Sequence, residues 1–223
     1  MSLEKELAAQ RDRAYQRRSP EERQVRAAAI ESTARSGLAE GAVSVGDDLP
    51  RIALPDVHGV LVDVNRLLES GPVVISFYRG GWCPYCNLEL RALQQNLGTI
   101  QELGASLVAI GPELPPRAAA TGATNALTFP LLIDRDNRVA RSFRLVHPID
   151  AQVVSYQQRN GNNVAAFNGS DVAEVPLPAT YVADRNGVIS YAFVEADYTR
   201  RAEPEAILEA LRKCVPSPVP LNP

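Results

Sequence analysis

An apolar run, Val73-Val74-Ile75-Ser76-Phe77-Tyr78, leads into Trp82-Cys83-Pro84-Tyr85-Cys86, after which apolar side chains recur at helical spacing. A strand that turns directly into a helix, with Cys-x-x-Cys at the turn, is the layout of a dithiol redox centre. The physical reason lies in the helix N-terminus. Its free backbone N–H groups and positive dipole end stabilise a thiolate, the reactive form of cysteine. Pro84 suits the first turn, where its missing N–H costs nothing. Arg79, four residues before Cys83, adds positive charge if its side chain turns toward the sulfur.

The helix predicted after the motif separates the two thiols by role. Cys86, Leu90, Leu93, Leu97 and Ile100 share one face, which packs against the sheet. Cys86 therefore opens a buried stripe, while Cys83 lies at the helix mouth. The outer thiol, Cys83, is predicted to be the nucleophile and Cys86 to close a disulfide on it. A structural zinc usually takes four N/S ligands. The chain has no second Cys-x-x-Cys, and His58 and His147 lie in unrelated turn contexts, so neither metal nor other cofactor is expected. Cys214 shares an apolar helix face with Ile207 and Leu211 and is read as structural. Trp82 either covers the site or fills space. Glu89 and the pair Arg200-Arg201 are expected at the surface.

A chain of 223 residues is enough for one well-packed domain plus an extension. The formal net charge of −3 gives no reason to expect nucleic acid or an anionic membrane as partner. No apolar run approaches the roughly 20 residues that span a bilayer. Met1-Ser2-Leu3-Glu4-Lys5-Glu6 has no apolar signal core, and the early acids disfavour a transit peptide, so a cytoplasmic location is expected. Three cysteines make no disulfide framework and read as chemistry in a reducing compartment.

Residues 1–44 read as a helical arm. Ser19-Pro20-Glu21-Glu22 is a capping signature, and Leu3, Leu7, Val25, Ala28 and Ala29 supply thin apolar faces. Such an arm must dock on its own domain or on a second copy, with a homodimer preferred. Residues 45–214 read as one α/β domain: a short hairpin around His58-Gly59, the buried strand at 73–78, a helix from Pro84 to about Leu103, a second buried strand at 106–110, a helix at 115–124 and a third strand at 129–133. Two successive β-α-β passages imply a parallel core with right-handed crossovers. Residues 145–177 read as an irregular inserted loop. Asn186-Gly187 joins two strands as a hairpin, a last helix runs from about Pro204 to Lys213, and residues 215–223 form a proline-rich tail.

Gly46-Asp47-x-x-Pro50, the stretch from Gly71 to Asn87, Leu177-Pro178-Ala179-Thr180-Tyr181-Val182 and Asp197-Tyr198-Thr199-Arg200-Arg201 together resemble the alkyl hydroperoxide reductase/thiol-specific antioxidant family of the thioredoxin superfamily, and most of all its bacterial peroxiredoxin-like members. The resemblance covers roughly residues 45–213. It implies a thioredoxin-like fold, with a central mixed sheet flanked by helices, and reduction of a hydroperoxide at Cys83 with Cys86 resolving. It also implies a thioredoxin- or glutathione-type reductant. In thioredoxin-like folds a cis-proline begins the strand facing the dithiol, and Pro178 stands in that place. Two departures accompany the resemblance. In the family's Pro-x-x-x-Thr/Ser-x-x-Cys motif counted to Cys83, Ser76 and Gly80 replace the proline and the hydroxyl residue. Phe77 stands where thioredoxins carry a buried acid. Three function classes stay open: a thiol peroxidase, a thiol–disulfide oxidoreductase and a non-catalytic interaction module.

Overall fold

The run at 73–77 is apolar on both faces and forms the central strand of a mixed sheet in the computed structural model, which describes residues 2–214. The expected proline-rich tail at 215–223 lies outside the described residues. In chain order the elements are α1 (Leu3–Arg17), α2 (Pro20–Arg35), β1 (Ala53–Pro55), β2 (Leu61–Asp63), α3 (Val64–Leu67), β3 (Val73–Phe77), α4 (Pro84–Gln95), α5 (Leu97–Glu102), β4 (Ser106–Gly111) and α6 (Pro115–Thr124). There follow β5 (Leu131–Ile133), α7 (Arg138–Ser142), β6 (Val146–Pro148), α8 (Ala151–Arg159), α9 (Val164–Asn168), β7 (Glu174–Pro176), β8 (Ala179–Ala183), β9 (Ile189–Val194) and α10 (Pro204–Cys214).

The sheet order is β5-β4-β3-β8-β9. Strands β3, β4 and β5 run parallel, and β8 and β9 close the other side as antiparallel strands. Alternate residues of β3 feed two cores, as the period of a strand demands. Val74 and Tyr78 meet α4, α5, α10 and α1 on one face. Val73, Ile75 and Phe77 meet β1, α3 and α7 on the other, where Phe77, Phe143 and Tyr181 stack at 4.8–6.2 Å. With both faces covered, a near-continuous apolar strand is the stable solution. The fold is α/β and thioredoxin-like, with a mixed central sheet, flanking helices and an N-terminal helical extension.

The stripe Cys86, Leu90, Leu93, Leu97 and Ile100 is buried as its spacing predicts. The single helix expected over it is instead two. Asn96 leaves helical geometry at φ −101°, ψ 2°, and its side-chain amide donates to the Ala92 carbonyl at 2.8 Å, a local bond that competes with the helix ladder. Residues 145–177 are likewise not an irregular loop. They form β6, α8, α9 and β7, with Asp150 and Asn163 capping the two helices and Val153, Val164 and Val175 supplying a small core. The Leu177 N–H donates to the Leu145 carbonyl at 2.8 Å, so the chain runs extended from β7 into β8. No described peptide bond is cis, and the cis geometry expected at Pro178 is absent.

The arm docks on its own chain. Leu3 and Leu7 enter the core beside α4, the Arg11 guanidinium donates to the Thr199 carbonyl at 3.3 Å, and Ser19 caps α2 through the Glu22 N–H at 3.2 Å. Val25 and Ala29 of α2 lean on the insertion. Within one chain α1 thus buries Leu3, Leu7 and Ala14, whereas no residue of α2 is fully buried. Leu7 is fully buried, so Leu7→Ala should lower stability by about 2–5 kcal/mol in urea denaturation. A loss below about 0.5 kcal/mol, the range of a surface change, would mean the arm is undocked in solution.

Candidate active site

Cys83 is the N-cap residue of α4, with extended backbone angles and Pro84 as the first helical residue. Its N–H donates to the Gly80 carbonyl at 3.0 Å, and its carbonyl accepts from Asn87 at 3.2 Å. The sequence places it at an open helix mouth, but the residue is only 1% exposed, with its sulfur beside the Cys86 backbone N–H. Both motif cysteines are buried, and both are free thiols. Burial pushes the Cys83 thiol up. The Cys86 thiol donating to it and the positive charges of Arg79 and Arg201 outweigh burial and hold it well below its ordinary value. Cys86 moves the opposite way: burial, the bond it donates to Cys83 and the negative charge there all favour its protonated form.

The charge under this pair is Arg201, expected on a solvated turn but found 5% exposed. Its Nη2 donates to Cys86 Sγ at 3.1 Å, and its Nε reaches the Glu89 carboxylate at 2.5 Å. The other Glu89 oxygen accepts from Thr180 Oγ1 at 3.0 Å, while Tyr198 and Arg200 carbonyls take the remaining guanidinium bonds. Glu89, also expected at the surface, is buried for this reason. Burial pushes its carboxyl up against the opposing pull of Arg201. Only Arg200 is a surface residue, paired with Glu195 at 3.4 Å. No local signal marks Arg201 as buried: its partner lies 112 positions away, on α4.

The loop between β3 and α4 is tied down by polar side chains. Gly81 N–H donates to the buried Glu113 at 2.8 Å, and Asn87 Nδ2 donates to the Gly81 carbonyl at 2.7 Å. Asn125 and Arg91 continue the chain of bonds. Gly80 adopts φ +140°, and a Cβ there would stand 2.3 Å from the Trp82 indole nitrogen. A Cβ on Gly81 would meet Thr121 Oγ1 at 2.0 Å. Glycine at position 80 is thus a steric requirement of this loop. The Arg79 backbone N–H donates to Cys86 Sγ at 3.4 Å, while its guanidinium is buried over the rings of Tyr198 and Trp82, at 4.3 and 5.0 Å.

Among the residues singled out from sequence, Cys83, Cys86, Arg79 and Trp82 come together. Pro178 is buried at the start of β8. Cys214 is half-buried, 3.1 Å from Ser190 Oγ, and lines a separate depression with Asp184 and Lys213. His58 lies in the Asp56–Val60 turn, and His147 on β6 beside Arg79. Among the described residues no group of three or more His, Cys, Asp or Glu side chains could hold a metal ion, and no helix is long and apolar enough to cross a membrane.

Residues 45–192 match the AhpC/TSA family. The chain belongs to that family. A Mycobacterium tuberculosis relative is 33% identical over 94 residues, which are 42% of this chain and 59% of that protein, so less than two thirds of that relative is matched. Chloroplastic peroxiredoxin Q of Oryza sativa subsp. japonica is 26% identical over 168 residues, 75% of this chain and 67% of that protein. The structure of peroxidoxin BcpB from Mycobacterium tuberculosis superposes with a TM-score of 0.60 at 22% identity, covering 77% of this chain and 97% of that one. That likeness establishes the fold. The AhpC/TSA match stops before Arg201 and begins after the arm.

Removing Arg201 strands a buried carboxyl. Arg201→Met should cost about 3–5 kcal/mol. Glu89 without its guanidinium has a folded-state pKa raised further above the unfolded value, so the folded state binds the extra proton and stability falls as pH rises. The deficit should therefore grow from about pH 5 to about pH 8, and adding Glu89→Gln should remove that pH dependence. A deficit independent of pH would show that Glu89 is not the group left unpaired.

Proposed function

We propose that this protein is a thiol peroxidase that reduces hydroperoxides through Cys83 and Cys86. The observation that carries the reading is a pair of free, buried thiols at the start of α4, with the Arg201 guanidinium 3.1 Å from Cys86 Sγ and the Arg79 N–H on the same sulfur. The charges of Arg79 and Arg201 draw Cys83 toward its thiolate. The Cys83 thiolate attacks the outer hydroperoxide oxygen, the O–O bond breaks, and the alkoxide leaves as an alcohol once protonated. Cys83 is left as a sulfenic acid. Its negative charge is then gone, and with it two of the influences that kept Cys86 protonated. Arg201, still 3.1 Å from Cys86 Sγ, now favours the thiolate there. Cys86 attacks the Cys83 sulfur, the disulfide forms and water departs. A thioredoxin- or glutathione-type thiol reduces the disulfide in a reducing compartment, the cytoplasm.

A second reading exchanges the two roles. Counted back from Cys86, the family's proline position is Arg79 and its hydroxyl position is Cys83. It is Cys86 whose sulfur accepts both the Arg79 N–H and the Arg201 guanidinium, a donor set suited to a reacting thiolate. The position of Cys83 as the N-cap of α4, between the charges of Arg79 and Arg201, supports the first assignment.

Peroxide consumption coupled to a thioredoxin or glutathione recycling system should fall to background in Cys83→Ser. In Cys86→Ser, one equivalent of peroxide should leave a trappable sulfenic acid on Cys83. Peptide mapping of the oxidised wild type should find a Cys83–Cys86 disulfide and a free thiol at Cys214. A sulfenic acid trapped at Cys86 in Cys83→Ser would establish the exchanged roles, and wild type without peroxide consumption would overturn the peroxidase reading.

A further inference from the structure

Helices α2 and α8 and strand β6 line a solvent-open cavity of about 750 Å³, within the roughly 300–1,000 Å³ of small-molecule sites. Arg79 and Tyr198 reach it from the thiol side. The Arg79 guanidinium is the feature that needs explaining. Its side chain is 4% exposed, its Nε is sealed from solvent without a hydrogen-bond partner, and no ion pair involves it among the described residues. A buried charge without a carboxylate partner is costly, and two aromatic faces and the nearby Cys83 sulfur answer only part of that cost. The less exposed charges on the cavity wall are already engaged, and Arg35 lies at its solvent-exposed margin. Arg26 is paired with Glu22 at 2.7 Å, Arg35 lies 4.0 Å from Glu31, and the Asp150 carboxylate caps α8 through the Gln152 and Val153 N–H groups. His147 is uncharged near neutrality, because burial and the adjacent Arg79 hold it down at about 4. The facing walls, Val25 and Ala29 of α2 and Val153 of α8, are apolar.

We propose that this cavity is a binding site for a small amphipathic monoanion, a single carboxylate on an apolar chain or ring, with its head on Arg79 and its body between α2 and α8. One buried cation without a carboxylate partner sets the head at a single negative charge, and the apolar side chains Val25, Ala29 and Val153 favour a hydrocarbon body over a polyanion. Helix α2 lies before residue 45, where the family match begins, so the site is an addition of this chain's own arm. A carboxylate on Arg79 competes with the Cys83 thiolate for the same positive charge. Occupancy therefore slows alkylation of Cys83, a consequence that rests on the thiolate reading above.

Trp82 is the only tryptophan of the chain and sits 5.0 Å from the Arg79 guanidinium, so its fluorescence reports the site. Titration with octanoate should saturate, with calorimetry giving the same dissociation constant. Acetate, which lacks the body, and octanol, which lacks the charge, should each bind at least about tenfold more weakly. Arg79→Met should weaken octanoate by about tenfold or more, and Ala29→Phe, which fills the α2 wall, should do the same with unchanged far-ultraviolet circular dichroism. Equal affinity for octanol and octanoate, or octanoate binding untouched by both substitutions, would overturn the proposal. The readout is binding, so its failure leaves the peroxidase reading standing, and a wild type that binds octanoate but consumes no peroxide removes only the latter.

Discussion

A guanidinium buried under the two thiols sets the terms for this molecule. Arg201 carries a charge into the core, where it can persist only with Glu89 and Cys86 bonded to it and with carbonyls on its remaining donors. A buried pair of this kind is weak evidence for stability. Its consequence is electrostatic: a fixed positive charge in a water-poor site acts on both sulfurs. Because it touches Cys86 and also influences Cys83, it can support a thiolate on either one as the pair changes oxidation state.

Around that charge the fold brings together elements from distant parts of the chain. The β3–α4 turn supplies the thiols, β8 supplies Thr180, and the segment before α10 supplies Arg201. Two pieces outside this frame shape the approach. The arm packs α1 on α4 and α2 on the insertion, and the insertion carries His147 and α8 to the rim. Arg79, just after β3, and Tyr198, just after β9, thus face a cavity walled in part by a helix that precedes the sheet.

The sheet core was legible in the sequence because its signals are local. An apolar run, a Cys-x-x-Cys turn, a helical stripe from Cys86 to Ile100 and Asn186-Gly187 each announce one element. Arg201 and Glu89 were misread as surface residues because charge is a good local predictor of exposure, and only a partner across the fold cancels it. The burial of Cys83 was missed for a related reason: a helix N-terminus is open in an isolated motif, and here Cys83 joins a buried cluster with Tyr85 and the arm's Leu3 and Leu7. The insertion read as loop because its asparagines and glycines mark turns strongly. The short segments between them, capped by Asp150 and Asn163, hold too few apolar residues for a clear period. Pro178 precedes β8, and its peptide bond is trans rather than cis.

The central claim is that Cys83 carries the thiolate and Cys86 the proton in the reduced protein. Ultraviolet thiolate absorbance followed against pH, in a Cys214→Ser background, tests it directly. The account predicts a first transition well below the ordinary thiol value of about 8.5, lost in Cys83→Ser and retained, at a higher pH, in Cys86→Ser. A first transition that survives Cys83→Ser and disappears in Cys86→Ser would contradict the account and make Cys86 the reactive thiol.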